Sequence, residues 1–220
     1  MSKTTKTNTR IPLIAGIILT VLFILFIFVI KTIDVAAIGP EGSNVGLAGI
    51  NKAVASVFHL NVIWYKLTQL LGYLAILIFA FFVICGFVQM IKRKSLFKVD
   101  RGILVMGCMF LVLFILYILF DKIAINYRPV ILPGETGLEA SFPSSHTMLA
   151  VCVFGSTMIE FRHRLKEGKA YNIIKWMMIA LMVVTVVGRL LSGAHWFTDI
   201  IGGLLISGAL ISFFAAFGSE

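Results

Sequence analysis

Six long apolar runs, separated by short polar connections, dominate the pattern of hydrophobic and polar positions along the chain. The runs cover residues 11–30, 67–91, 102–120, 145–161, 173–187 and 200–218. A helix rises about 1.5 Å per residue, so about twenty apolar residues cross the hydrocarbon core of a bilayer. The pattern predicts an all-α fold, a six-span transmembrane helical bundle whose fourth span is short.

A polar tail precedes the first apolar run. We interpret residues 1–10 as a cytoplasmic N-terminal tail and residues 11–220 as a single membrane-embedded domain. The first run is longer than the ~7–15 residues of a signal-peptide core, and it ends at Lys31 without a small-residue cleavage site. These features favour an uncleaved first span.

The connection between the first and second spans contains a shorter helical pattern. Its apolar positions fall at helical spacing and are Leu47, Ile50, Val54, Val57 and Phe58. The polar residues Asn51, Lys52 and Ser56 fall away from that apolar face. We therefore predict a short amphipathic helix that lies on the membrane surface between the two spans.

The composition is that of a membrane protein. Of the 220 residues, 60% are hydrophobic and 13% are charged, whereas a soluble domain has about 25% charged residues. The formal net charge is +9, but the basic residues fall mostly in short connections, where they set topology, and no nucleic-acid-binding motif accompanies them. The three cysteines lie within apolar runs and form neither a metal-binding nor a disulfide pattern.

Lys and Arg residues are distributed unevenly between the two predicted sides of the bundle. The N-terminal tail contains three, residues 92–101 contain five and residues 162–175 contain five, so thirteen of the nineteen lie on one side. The positive-inside rule makes that side cytoplasmic. The chain is therefore predicted to lie in the cell membrane with both termini in the cytoplasm. The connections before the fourth and sixth spans then face outside.

An Arg, a His and an Asp lie in the outer connection between the fifth and sixth spans and at the start of the sixth. Five residues separate Arg189 from His195, and three separate His195 from Asp199. If this segment is helical, His195 and Asp199 lie one turn apart on the same face. A carboxylate there orients one imidazole nitrogen and leaves the other free and basic. An Arg in this position suits recognition of a phosphate or carboxylate.

The outer connection before the fourth span ends in Pro143-Ser144-Ser145-His146. Pro143 cannot continue a helix and Ser144 is a favourable N-cap, so Ser145 and His146 are predicted in the first helical turn. Free backbone N–H groups and the helix dipole make such a turn an anion site. Two helix N-termini, several cations and two histidines on one side of the membrane favour a phosphoryl group as the ligand.

Three segments resemble the signature of the type 2 phosphatidic acid phosphatases, integral-membrane lipid phosphate phosphatases related to the vanadium haloperoxidases. They are Lys122 followed by Arg128-Pro129, then Pro143-Ser144-Ser145-His146, then Arg189-x5-His195-x3-Asp199. The motifs occur in the order of the family, each at the head of the expected span. The motifs cover the chain from Lys122 to Asp199, and the six-span layout extends the resemblance to the rest.

The resemblance implies a role for each matched residue. His195 is expected to attack phosphorus and form a phosphohistidine, Asp199 to orient His195, and His146 to act as a general acid and then to activate water. The residues expected to hold the phosphate oxygens are Lys122, Arg128, Ser144, Ser145 and Arg189. The implied mechanism needs no metal and no cofactor. In agreement, the sequence offers no carboxylate cluster for Mg²⁺ and no Cys/His set for Zn²⁺.

The chain departs from the family pattern at three positions. Five residues rather than six separate Lys122 from Arg128. Because one residue is about 100° of helix rotation, Lys122 reaches a phosphate only through its long stem or a local bulge. Ser145 replaces a glycine but keeps the backbone N–H. Gly188 replaces a serine and so removes one hydroxyl from the expected phosphate contacts.

These observations predict a metal-independent membrane phosphatase that removes phosphate from a lipid phosphate or pyrophosphate at the outer leaflet. The outward orientation favours undecaprenyl pyrophosphate, and phosphatidylglycerophosphate and phosphatidic acid are further candidate substrates. Two alternatives stay open: a lipid phosphotransferase that uses the same histidine, and a non-catalytic protein that binds or transports lipid headgroups. The expected partners are the lipid substrate and membrane lipids, and the sequence does not indicate an oligomeric state.

Other polar and small residues are interpreted as structural. The acidic residues of the outer side, expected to be solvated or to cap loops, are Asp121, Glu135 and Glu139. On the inner side, Glu160 is expected to pair with a neighbouring Arg. Close helix packing is expected at the glycines of the sixth span, Gly202, Gly203 and Gly208.

Overall fold

The computed structural model describes residues 9–165 and 168–218, and these residues form seven α-helices and no β-strand. The helices are α1 (Arg10–Thr32), α2 (Ala48–Ala55), α3 (Val62–Arg93), α4 (Arg101–Lys122), α5 (Ser145–Leu165), α6 (Lys169–Leu191) and α7 (Phe197–Phe217). Two short 3-10 turns lie in the connections, at Pro40–Gly42 and Leu96–Lys98. The all-α prediction is confirmed. Residues 1–8 of the predicted N-terminal tail lie outside the described residues.

Five helices in the described part of the chain are long and apolar enough to cross a membrane, namely α1, α3, α4, α6 and α7. The predicted fourth span corresponds to α5, which has 21 residues but is less apolar. Its polar residues Ser156, Thr157 and Glu160 are buried, because α5 packs against α3, α6 and α7. Length and composition therefore give five candidate spans rather than six, since a helix enclosed by others tolerates polar residues that lower its hydropathy.

Hydrogen bonds between connections show which helix ends meet. The Asn61 N–H, just before α3, donates to the Ser192 carbonyl, just after α6, at 2.9 Å. The Ser144 N–H, just before α5, donates to the carbonyl of Asp199, in the first turn of α7, at 3.0 Å. The starts of α3, α5 and α7 and the end of α6 therefore lie together at one end of the bundle, which we call the site end.

A cluster of ion pairs joins three helices at the opposite end. Asp100, immediately before α4, pairs with Arg93 of α3 at 2.8 Å and with Arg164 of α5 at 3.1 Å. Gln89 donates to Asp100 at 2.8 Å. Arg164 also pairs with Glu160 at 2.6 Å, as predicted for Glu160. Burial raises the pKa of Asp100, but hydrogen bonds from its three partners outweigh burial and hold that pKa below its ordinary value.

The glycines of α7 allow close approach to neighbouring helices. A Cβ atom at Gly203 would lie 3.0 Å from the Thr147 side chain of α5, and one at Gly202 would collide with the Phe142 ring. At Gly208 it would lie 3.3 Å from a leucine of α1. The predicted packing role of these glycines is confirmed, and it brings the first turns of α5 and α7 side by side.

The short helix α2 forms where the sequence predicts it, but one of its residues faces the other way. Lys52 and Ser56 are exposed, as expected, whereas Asn51 is buried and the apolar Ile50 is half-exposed. The prediction that Asn51 belongs to a solvated polar face is therefore wrong. The physical reason is that α2 packs against α7, where the Asn51 amide finds hydrogen-bond partners.

Candidate functional site

A cavity of about 690 Å³ opens at the site end, between α3, the connection from α4 to α5 and the loop from α6 to α7. Six of the eight predicted site residues line it: Lys122, Arg128, Ser145, His146, Arg189 and His195. The other two, Ser144 and Asp199, are buried beside this lining. The three sequence motifs therefore converge on one cavity.

His195 lies in the loop between α6 and α7 and is buried. Its Nε2 atom is 3.2 Å from Nη1 of Arg128 and 3.2 Å from Nη2 of Arg189. Guanidinium groups only donate hydrogen bonds, so Nε2 is the acceptor and the imidazole proton lies on Nδ1. The lone pair of Nε2 therefore points to a position between two cations, where an anion is electrostatically favoured.

Asp199 lies on the other side of the imidazole. Its Oδ2 atom is 3.5 Å from Nδ1 of His195 and accepts a hydrogen bond from the Trp196 N–H at 2.9 Å. Because α7 begins only at Phe197, His195 and Asp199 do not share a helix face as their spacing suggested. Instead, the Asp199 side chain folds back over the N-terminus of α7 and meets His195 there.

The surroundings of His195 favour its neutral form. Burial, and then the positive charges of Arg128 and Arg189, hold the pKa of His195 well below its ordinary value. A neutral imidazole protonated on Nδ1 has a free lone pair on Nε2. Such a ring can act as a nucleophile, and the nearby Asp199 carboxylate stabilises the positive charge that develops on it during attack.

Arg189, near the end of α6, is 0% exposed. Its Nη1 donates to the Thr68 hydroxyl at 3.2 Å, and its guanidinium lies 5.1 Å from the ring centroid of Tyr65. No acidic side chain in the described residues forms an ion pair with it, and its Nε has no hydrogen-bond partner among them. A buried cation without a counter-ion is costly, as expected of a site that binds an anion.

The sequence analysis missed Tyr65 and Thr68, the two residues of α3 that contact Arg189. They lie three positions apart near the start of α3, on one face of the helix. A tyrosine and a threonine three positions apart at the head of a span were an available signal of a polar neighbour. It could not identify that neighbour, because Arg189 lies 121 residues further along the chain.

Arg128 is held by Glu139, across the connection between α4 and α5. Its Nε donates to Oε2 of Glu139 at 2.7 Å, and its Nη1 donates to the carbonyl of Ala194 at 3.1 Å. An isolated bridge between Tyr127 and Ala140 pairs the two segments. Glu139 lies in a loop and is partly exposed, as predicted, but it also pairs with Arg128, one of the two guanidinium groups at His195, a role that the sequence did not indicate.

The first turn of α5 has the predicted cap. Ser144 Oγ accepts hydrogen bonds from the Thr147 N–H at 3.4 Å and from the Thr147 hydroxyl at 3.1 Å. Because this hydroxyl is buried and already engaged, Ser144 supports the turn from behind, whereas Ser145 and His146 face the cavity. The Nδ1 atom of His146 is buried and has no partner in the described part of the chain.

Lys122 lies at the rim of the cavity, away from His195. Its side chain is 78% exposed, and its ammonium pairs with Asp121 at 3.3 Å. Lys122 is the last residue of α4, and the five residues between it and Arg128 are not helical, so the helix-rotation argument from the shortened spacing does not apply. Two residues predicted to hold phosphate are therefore not at the centre of the site: Lys122 lies at its rim, and Ser144 lies behind its lining.

An apolar groove of about 400 Å³ adjoins the polar cavity and runs between α3, α4 and α5. The residues that line both spaces are Gln69, Tyr117, Ser145, His146 and Met148. Further from the cavity, the groove is lined mainly by aliphatic and aromatic side chains: Ile76, Phe79, Phe110, Leu113, Phe114 and Leu149. A ligand with a polar head and a hydrocarbon chain fits the two spaces together.

The polar groups around the cavity suit an anion. Arg128, Arg189 and the backbone N–H groups at the start of α5 are hydrogen-bond donors, and a tetrahedral phosphate offers several acceptor oxygens to them. Within residues 9–165 and 168–218, no group of three or more His, Cys, Asp or Glu side chains is placed to hold a metal ion.

Two comparisons with known proteins return matches. The model of the PAP2 superfamily matches residues 101–219, a range that contains all eight predicted site residues. The crystal structure of a transmembrane PAP2-type phosphatidylglycerolphosphate phosphatase from Bacillus subtilis is 20% identical, with a TM-score of 0.61, and the match covers 91% of this chain and 93% of that chain. At this identity the likeness shows a shared fold. No curated protein sequence matches the chain.

Proposed function

The chain belongs to the PAP2 superfamily and is a membrane lipid phosphatase, and from this premise we propose how it acts. It hydrolyses a phosphate or pyrophosphate monoester of a lipid at the outer leaflet, through a phosphohistidine on His195 and without a metal ion. The observation that carries this proposal is the arrangement around Nε2 of His195. A neutral imidazole meets two guanidinium groups on its Nε2 side and a carboxylate on its Nδ1 side.

In the first step, Nε2 of His195 attacks phosphorus while the bond between phosphorus and the leaving oxygen breaks. The phosphate oxygens accept hydrogen bonds from Arg128 and Arg189, whose N–H groups point to Nε2 of His195 in the free site. These cations stabilise the charge that spreads over the oxygens in the transition state. His146, which also lines the cavity, gives a proton to the leaving oxygen.

In the second step, water replaces the histidine on phosphorus. His146, deprotonated by the first step, accepts a proton from the water, whose oxygen then bonds to phosphorus as the bond to Nε2 breaks. Inorganic phosphate leaves and His195 returns to its neutral form. Asp199 stabilises the positively charged ring in both steps from its position beside Nδ1.

The groove beside the cavity supports a lipid as the substrate. Its apolar lining lies between helices long enough to cross a bilayer, so a hydrocarbon chain can lie there while the headgroup reaches His195. We propose that the protein is a six-span bundle in the cell membrane, with α5 as the enclosed span and α2 at the membrane surface. The excess of Lys and Arg at the opposite end favours an outward-facing site.

Phosphate release from a defined panel of lipids tests this function. Purified protein in detergent, with excess EDTA, is offered undecaprenyl pyrophosphate, phosphatidylglycerophosphate and phosphatidic acid, with and without an alcohol acceptor. We expect EDTA-resistant release of inorganic phosphate from at least one lipid, which ranks the substrates. Transfer of the phosphoryl group to the alcohol instead of water would make the protein a phosphotransferase. Binding of every lipid without turnover would contradict the proposal.

Replacing Lys122 by alanine is expected to lower kcat/KM by no more than about fivefold. The Lys122 side chain is largely exposed and paired with Asp121, so it attracts an anion only across solvent, an effect worth about 1 kcal/mol or less. Raising the salt concentration should reduce the difference further, because salt screens exposed charges. Arg128→Ala, assayed alongside, should cost more than about 100-fold. An equal loss in the two variants would show that Lys122 moves onto the bound phosphate.

A further inference from the structure

Asn51, in the middle of α2, is 0% exposed and uses both of its amide hydrogens. Its Nδ2 donates to the carbonyl of Gly46 at 2.9 Å and to the Thr198 hydroxyl at 3.0 Å. Its Oδ1 accepts a hydrogen bond from the Thr198 backbone N–H at 3.2 Å. The amide thus meets one residue twice, donating to the Thr198 hydroxyl and accepting from the Thr198 N–H.

Thr198 is the second residue of α7 and directly precedes Asp199. Its N–H belongs to the first turn, where backbone donors have no partner within the helix, and Asn51 supplies that partner from another part of the chain. The Thr198 hydroxyl also lies 3.4 Å from Nδ2 of Asn126, two residues before Arg128. Thr198 thus connects α2, the start of α7 and the segment that carries Arg128.

From this geometry we propose that Asn51 is a positioning residue of the reaction, acting through Thr198 to hold the first turn of α7 and, with it, Asp199 and His195. The inference rests on the proposed roles of Asp199 and His195 in phosphoryl transfer. Attack on phosphorus needs Nε2 at a defined distance and direction, and a misplacement of about 1 Å costs about 100-fold in rate. A buried amide with three hydrogen bonds restricts the turn whose movement would cause that misplacement.

Asn51 lies outside residues 101–219, the range that matches the family model. On this proposal the matched range supplies His195 and Asp199. Asn51, from the N-terminal part of the chain, fixes the start of α7, which carries Asp199. None of the three sequence motifs contains Asn51, and the residues on either side of it, Ile50 and Lys52, are exposed. Its burial is the feature that distinguishes it from a surface residue of an interfacial helix.

Steady-state kinetics of Asn51→Ala test the proposal, with Asn44→Ala as a matched control on an exposed residue of the same connection. Each kcat is divided by the number of sites that bind orthovanadate, a phosphate analogue, so that misfolded protein does not contribute. For Asn51→Ala we expect kcat per binding site to fall about 10- to 100-fold, with KM within about threefold of wild type. Asn44→Ala should match wild type. An unchanged kcat per site in Asn51→Ala would overturn the proposal.

Variants of Thr198 keep the test decisive if Asn51→Ala does not fold. Thr198→Ser retains the hydroxyl and should stay within about threefold of wild type, whereas Thr198→Val should show the loss expected of Asn51→Ala. Because the two residues act as a unit, the double variant should be no more than about threefold worse than the poorer single variant. Equal activity of Thr198→Ser and Thr198→Val would contradict the inference. Full activity of His195→Ala would instead contradict the proposed function itself.

Discussion

Replacing His195 by alanine is expected to abolish phosphate release, with kcat lowered by about 10⁴-fold or more. The substitution removes the only group whose lone pair lies between Arg128 and Arg189 in the described part of the chain. Without it the proposed two-step route through a phosphohistidine is closed, and only slow direct attack by water is left. Phosphate release from lipid substrate, measured against enzyme concentration, gives the loss directly.

Covalent labelling identifies the role of His195 more sharply than a loss of rate. Wild-type protein quenched soon after mixing with ³²P-labelled lipid should carry label that survives alkali and is lost in acid, as a phosphoramidate does. His195→Ala should carry none, although it should still bind the lipid through Arg128 and Arg189. His163→Ala, on an exposed histidine at the opposite end of the bundle, is the matched control and should label normally. Label on His195→Ala would assign the nucleophile to another residue.

Replacing Arg189 by methionine is expected to lower kcat/KM by about 10³-fold and, at the same time, to raise the melting temperature. The loss of rate follows from removing a preorganised donor that stabilises the phosphoryl transition state, an effect of about 4 kcal/mol. The gain in stability follows because Arg189 is fully buried without an acidic partner among the described residues, and Arg128 lies close by with the same charge. Methionine fills a similar volume without that electrostatic cost.

Ligand-dependent melting separates these two effects. An anion that binds the wild-type site should raise its melting temperature, by an amount equivalent to about 2.7 kcal/mol at 100 times the dissociation constant. Arg189→Met should start from a higher melting temperature and respond little to orthovanadate. Arg189→Lys keeps the charge but loses the two guanidinium nitrogens that contact Thr68 and His195 at the same time. It should therefore recover little activity. A lower melting temperature in Arg189→Met would show that its contacts to Tyr65 and Thr68 outweigh its burial.

Patterns within short stretches of the sequence predicted most of the helices and most of the residues that line the cavity. The apolar runs at residues 11–30, 67–91 and 102–120 each lie inside a helix of the structure, because a span must satisfy its own backbone hydrogen bonds. The motif residues met at one cavity because helices joined by short connections bring alternate ends together. The cap at Ser144 was predictable for the same local reason.

Long-range partners could not be predicted in this way. Thr68 meets Arg189 across 121 positions, and Asn51 meets Thr198 across 147. Hydropathy does not count α5 among the candidate spans, although enclosure by its neighbours is what lets it keep the buried Glu160. Each case depends on which residues tertiary packing places opposite one another. The sequence does not show whether the hydrogen-bond partner of a polar side chain will be water or another part of the protein.

The ion-pair cluster around Asp100 also determines where the bundle can open. It holds α3, α4 and α5 together at the end away from His195, while the apolar groove separates the same three helices toward the site end. We expect helices joined in this way to move least near Asp100 and most near His146. Over a helix of about 45 Å, a rotation of about 3° moves the far end by about 2 Å. We therefore expect a small tilt of α3 to widen the groove at the site end while the ion pairs around Asp100 stay formed.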